Sequence, residues 1–303
     1  MEFPPHVYIE NKSLRECRFY WYYLTKQNIS LPAEPSDPTE YCRKINHVID
    51  NLSMKSDEKE RAVEEMVRSA KESLLSNKEL KPLDKGIERM CSWIWCYCRL
   101  MDSTASNWLN TPSINYNVSA KSSVYLKYSL NLNPTTAEER YDLIIKFLDF
   151  SEADLDSKRG LLAFWQQAWG EVYEAETFHW LDNKNNIQCE WASNYLVNDT
   201  EYKIPNWFLP KPTTPQQMYD FTIAAFDIWG AHPDSKKLLI IKMKKAWSQK
   251  KHRDNMEGKR AYNFVLHDGA KDKLNAIAKV YGLKKNQCLE QLIEKEFALL
   301  KNK

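Results

Sequence analysis

The chain has 303 residues, 43 Lys+Arg against 41 Asp+Glu for a net charge of +2, and 11 Trp, 16 Tyr and 11 Phe, enough apolar bulk for a large buried core. Only 7 Gly argues against glycine-rich phosphate loops and for long helices. No apolar run reaches the ~18 residues of a membrane span, and the spacing of the seven Cys suggests no disulfide framework, so a reduced, cytoplasmic protein is expected.

The start, MEFPPHVYIENK, has no basic segment followed by an apolar run, so no signal peptide is expected. Apolar residues then recur at three- and four-residue spacing, which predicts helices over 12–28, 38–52, 57–77, 83–103, 136–150, 155–180, 213–229, 234–254, 269–281 and 285–301. Asp37-Pro38, Ser56-Asp57, Thr135-Thr136 and Thr213-Thr214-Pro215 mark helix starts. Residues 105–133 are polar and rich in Asn and Ser. They read as a long loop with a β-prone patch at Val124-Tyr125-Leu126. Residues 198–212 read as a Pro-rich connector.

Residues 134–169 match 212–247 without a gap at an offset of 78, with 14 of 36 positions identical. Tyr141/Tyr219, Asp142/Asp220, Asp156/Asp234, Ser157/Ser235, Lys158/Lys236 and Trp169/Trp247 are among them. A weaker echo begins at Pro38-Thr39 and Tyr41. The expected fold class is therefore mainly α, with duplicated helical hairpins that bury their apolar faces on one another.

The charge is divided along the chain. Residues 1–235 carry 25 Lys+Arg and 34 Asp+Glu; residues 236–303 carry 18 and 7. A net of −9 is thus followed by +11, which suggests a polyanion partner for the C-terminal part alone. The basic stretch 236–260 leads into RAYNFVLHD (260–268), where apolar and polar residues alternate. Tyr262, Phe264 and Leu266 fall on one face of a strand, and Ala261, Asn263 and Val265 on the other. Two amphipathic helices follow, and Gly282 ends the first. One strand and two helices are too small to fold alone, and a second copy of the chain supplies both the missing strand and the core.

That order of elements over 259–300 resembles the ribbon-helix-helix family of DNA-binding proteins, the Arc, MetJ and CopG type. The resemblance rests on AYNFVL, the Leu266-His267-Asp268 turn, AIAKVYGL and CLEQLI. It implies a C-terminal ribbon-helix-helix whose single strand pairs antiparallel in a homodimer and enters the major groove of double-stranded DNA. Carried over by position, Lys259, Ala261, Asn263 and Val265 face the bases, with Asn263 the natural reader of adenine. Lys284, Lys285 and Asn286 would meet phosphate at the start of the last helix, though the Ser or Thr cap common there is absent. Lys242, Lys245, Lys250, Lys251, Arg253 and Arg260 would follow the backbone. Tyr262, Phe264, Leu266, Leu274, Ile277, Leu289 and Ile293 would form the dimer core.

A helical body ahead of such a ribbon also resembles MatP, a chromosome-organising protein, and the AcaB-type activators of plasmid conjugation genes. Three domains are expected: an acidic helical domain (1–210), a hairpin with a basic second helix (211–258) and the DNA-binding module (259–303). The reading is a nucleoid- or plasmid-associated transcription regulator, an activator by analogy, dimeric or larger on DNA, whose helical body contacts a second dimer, RNA polymerase or a small effector. A DNA-bridging nucleoid or partition protein is the alternative. No enzyme, cofactor, metal site or membrane partner is expected. Cys91, Cys96 and Cys98 sit among Trp, Ile and Tyr and read as core. The six His lack ligand spacing, and Glu171, Tyr173, Glu174, Glu176 and His179 read as a solvated face.

Overall fold

A computed structural model of the chain describes residues 9–102, 121–173, 175–198, 212–256, 258, 260 and 262–301. The described residues are mainly helical: α1 (Leu14–Lys26), α2 (Pro38–Asp50), α3 (Ser56–Ser73), α4 (Asn77–Leu80), α5 (Glu88–Arg99), α6 (Val124–Lys127), α7 (Ala137–Phe150), α8 (Leu155–Val172), α9 (Asn186–Asn198), α10 (Pro215–Ile228), α11 (Pro233–Asn255), α12 (Ala270–Tyr281) and α13 (Lys285–Lys301). They form two compact units, 1–247 and 248–303, with the division inside α11.

The first unit is built from one three-helix motif used three times. Its opening helices α1, α5 and α9 start alike. Each follows a short Asx turn, in which Asn11, Asp84 or Asp182 Oδ1 accepts from the backbone N–H two residues on, at 2.7, 2.8 and 2.9 Å. The carbonyl of that same residue faces the thiol of the fourth helical residue: Cys17 at 3.9 Å, Cys91 at 3.6 Å and Cys189 at 3.3 Å. Tyr23, Tyr97 and Tyr195 then occupy the tenth position. α1 and α5 also match without a gap at an offset of 74, with Arg15/Arg89, Cys17/Cys91, Trp21/Trp95 and Tyr23/Tyr97 identical.

Each opening helix is followed by a capped hairpin. Asp37, Thr136 and Thr214 cap α2, α7 and α10 by accepting from the N–H three residues on. Gln217 completes a capping box at Thr214, where Pro215 supplies a preset φ. The pairs Asp50/Lys59, Asp149/Lys158 and Asp227/Lys236 recur at a spacing of nine across the three hairpins. Three apolar clusters result. Cys17, Tyr41, Ile45 and Met66 centre the first, Trp93, Phe147, Leu161 and Trp165 the second, and Ala192, Leu196, Ala225 and Met243 the third.

Buried ion pairs join successive motifs. Arg15, second in α1, donates Nε and Nη2 to Asp149 of α7 at 2.7 and 2.5 Å. Arg89, second in α5, does the same to Asp227 of α10 at 2.7 and 2.8 Å. Both are two-pronged guanidinium–carboxylate bonds, the geometry that best offsets loss of hydration. Burial raises both carboxyls, and the facing arginine opposes that shift. The rings of Trp169, Tyr173 and Phe178 lie 5.1–6.0 Å from the Arg89 guanidinium.

The recurring lysines carry a pH signature. Desolvation holds Lys158 and Lys236 down to about 8, against the attraction of Asp149 and Asp227. An unfolded lysine keeps its proton up to 10.5, so above pH 8 the unfolded chain binds more protons and these two groups favour folding more as pH rises. Above pH 9 the thiols act the other way, because burial pushes Cys91 up to about 11 and Cys96 up to about 12. The midpoint of urea unfolding is therefore expected to rise between pH 8 and 9 and then turn over. Lys236→Met should flatten that rise, and an unchanged profile would remove the lysines as its cause.

Several expectations are corrected. The β-prone Val124-Tyr125-Leu126 is a helical turn, α6, because Val124 and Tyr125 are drawn into the second core and Tyr125 is held there by Trp95 Nε1 at 3.0 Å. The long helix expected over 155–180 stops at Val172 and resumes as a 3-10 turn, Ala175–Phe178. α9 carries no sequence expectation at all. Residues 262–267 form no strand, and among the described residues the sole β contact is the isolated bridge between Asp102 and Ser123. A strand requires a hydrogen-bonding neighbour, and a single chain supplies none for this segment. The loops expected over 105–120 and 199–211, and Glu174, lie outside the described residues.

Candidate nucleic-acid interface

The unit 248–303 carries 13 Lys+Arg and 7 Asp+Glu. α12 and α13 pack on each other. Gly269 begins α12 at φ +82°, and Gly282 ends it at φ +63°, conformations open to residues without a Cβ. Past Gly282, the Leu283 N–H reaches back to the Ala278 carbonyl at 3.0 Å, closing the helix end.

The start of α13 explains how it dispenses with a Ser or Thr cap. Gln287 folds back so that its Oε1 accepts from Lys284 N–H at 3.2 Å, and the first intrahelical bond is Cys288 N–H to the Lys284 carbonyl at 2.9 Å. The backbone N–H groups of Lys285, Asn286 and Gln287 precede that bond, so the helix has none of its carbonyls to offer them. Lys284, Lys285 and Asn286 are all exposed here. An exposed helix start flanked by two ammonium groups can accept a phosphate.

The ribbon segment is exposed throughout, from Tyr262 to His267. The rings of Tyr262 and Phe264 stack with centroids 6.3 Å apart, which puts these alternate residues on one side. Asn263 and Val265 are exposed. Lys259 and Ala261 lie outside the described residues.

The expected phosphate contacts are divided between the two units. Lys242 and Lys245 are exposed on α11 within the first unit. Lys251, Arg253 and Arg260 are exposed in the second. Lys250 differs from that expectation: it is half-buried and bonded to Asp254 at 2.9 Å, one helical turn on, so part of its charge is already answered.

Few apolar side chains of this unit are covered. Among its described residues only Ala278 and Cys288 are buried. Leu274 and Ile277 are half-buried, and Leu289 and Ile293 are exposed. Tyr262, Phe264 and Leu266 are 70%, 67% and 68% exposed, and Phe297 is 54% exposed. The sequence pointed to Tyr262, Phe264, Leu266, Leu274, Ile277, Leu289 and Ile293, and it passed over the further exposed apolar residues Leu299 and Leu300.

In the first unit, Tyr173 is exposed, as a solvated face requires, and its ring also lies 5.1 Å from the Arg89 guanidinium. The seven cysteines are buried free thiols, three of them seated in the repeated turns. No helix among the described residues is long and apolar enough to cross a membrane. No family model, no curated protein and no solved structure matches the chain.

Proposed function

We propose that the protein is a homodimeric, sequence-specific DNA-binding transcription regulator whose 259–303 segments pair as a ribbon-helix-helix. The observation that carries this reading is the uncovered apolar face of the second unit. A segment whose described residues bury two side chains while holding Tyr262, Phe264, Leu266 and Ile293 in water lacks the area to be stable by itself. A second copy covers that face, turns the unpaired 262–267 segment into an antiparallel ladder, and leaves Asn263 and Val265 outward on one ribbon. The surplus of positive charge and the open start of α13 suit a phosphate backbone on either side. The first unit, acidic and built of repeats, carries the regulatory contacts.

Selection of bound fragments from random DNA by the full-length protein tests the reading. A short palindromic motif is the expected result, since a two-fold protein reads two-fold sites. Asn263→Ala should then weaken the selected site by about 1–3 kcal/mol while non-specific DNA is bound as before. Equal loss on all sequences would remove Asn263 from base reading. Salt-sensitive binding without any motif would favour a DNA-bridging architectural protein instead.

A further inference from the structure

The two seams between successive motifs of the first unit are filled differently. At the first, Arg18 of α1 donates to Asp142 of α7 at 2.5 Å, and Tyr22 stacks on Phe150 with centroids 4.0 Å apart. The gapless match of α1 to α5 places Ser92 at the Arg18 position and Cys96 at the Tyr22 position. The match of α7 to α10 places Asp220 at the Asp142 position. The second seam thus lacks counterparts of the Arg18 guanidinium and the Tyr22 phenol ring. A cavity of about 530 Å³ lies there, with Ser92, Cys96 and Asp220 in its wall.

Among the described residues of its wall, one is a cation. Arg140, fourth in α7, is 9% exposed, and its Nη2 stands 3.8 Å from Asp220 Oδ2. The clamps at Arg15 and Arg89 close to 2.5–2.8 Å; at 3.8 Å there is no direct hydrogen bond. Asp220 Oδ1 accepts from Gln216 at 2.9 Å, while Oδ2 is the oxygen nearest Arg140. Trp95, Phe221, Ala224 and Ala225 provide an apolar wall.

We infer that this cavity binds an α-amino acid with an apolar side chain. Its carboxylate would take the Arg140 fork, its ammonium Asp220 Oδ2, and its side chain the wall of Trp95 and Phe221. Two opposite charges paired at 3.8 Å without a direct hydrogen bond, beside an apolar hollow, match a zwitterion. A simple carboxylate would be set against Asp220, and a simple amine against Arg140. The volume lies within the range of small-molecule sites, about 300–1,000 Å³. The site is independent of the DNA reading, and its failure leaves that reading untouched.

Calorimetric titration of the full-length protein with L-phenylalanine, L-leucine, 3-phenylpropionate and 2-phenylethylamine decides the matter. L-Phenylalanine should bind at least tenfold more tightly than either compound lacking one charge. Arg140→Gln and Asp220→Asn should each weaken it tenfold or more. Ser92→Arg rebuilds the ion pair of the first seam, so it should abolish binding while leaving the thermal midpoint unchanged or raised. The inference is overturned by equal affinity for the three phenyl compounds, by full binding in Ser92→Arg, or by no heat from either amino acid at millimolar concentration.

Discussion

Phe264→Asp is expected to yield a monomer that has lost specific DNA binding. Phe264 stands between Tyr262 and Leu266 on the face assigned to the dimer core, and all three are largely exposed in one chain. Covering each such side chain contributes about 1.5–3 kcal/mol, twice over in a two-fold dimer. A carboxylate at the same place reverses that gain and adds the cost of burying an unpaired charge, several kcal/mol per site. In one chain the 264 side chain is 67% exposed, so the substitution leaves the helical body intact. Sedimentation should show the monomer, and gel-shift assays should show the selected site lost. A variant that stays dimeric and binds its site would take Phe264 out of the interface.

Asp227→Ala should cost the first unit about 3–5 kcal/mol, because it leaves Arg89 charged and largely buried with its carboxylate gone. Asp142→Ala makes the comparison. Its carboxylate is 40% exposed, and its bond to Arg18 lies near solvent, so about 1 kcal/mol or less is expected. Urea denaturation followed by tryptophan fluorescence measures both, since Trp169 lies against Arg89. Replacing Arg89 and Asp227 together by Met and Leu should recover most of the loss. Equal effects of the two single substitutions would show that burial is not what gives the Arg89 pair its weight.

The hairpins α7–α8 and α10–α11 were legible because their loops have equal length, so the match runs without a gap and both helix starts carry Thr caps. The first motif was visible only as an echo. Its loop between opening helix and hairpin differs in length from that of the second motif, which breaks the register between α1–α3 and α5–α8. The cysteines looked like isolated core residues because their common role, meeting the carbonyl of an Asx turn, is a backbone property that the sequence does not display. α9 went unread since Ile187 and Val197 are exposed, so no clean apolar face repeats along it. Val124-Tyr125-Leu126 has strand propensity that packing overrides. The period of two at 262–266 was legible, and one chain cannot convert it into a strand. The cavity was not legible: it comes from what Ser92 and Cys96 fail to fill, which emerges only once α1 and α5 are superposed as equivalents.

The clamps run in one direction, from the opening helix of one motif to the hairpin of the next, so the array has a grammar of succession. The second residue of each opening helix holds the word for "continue": Arg15, then Arg89. In α9 that place belongs to Ile187, which is 64% exposed and can hold no carboxylate. The third motif thus offers no arginine for a further clamp. Lengthening the array by a fourth would call for an arginine at 187 and an aspartate to receive it.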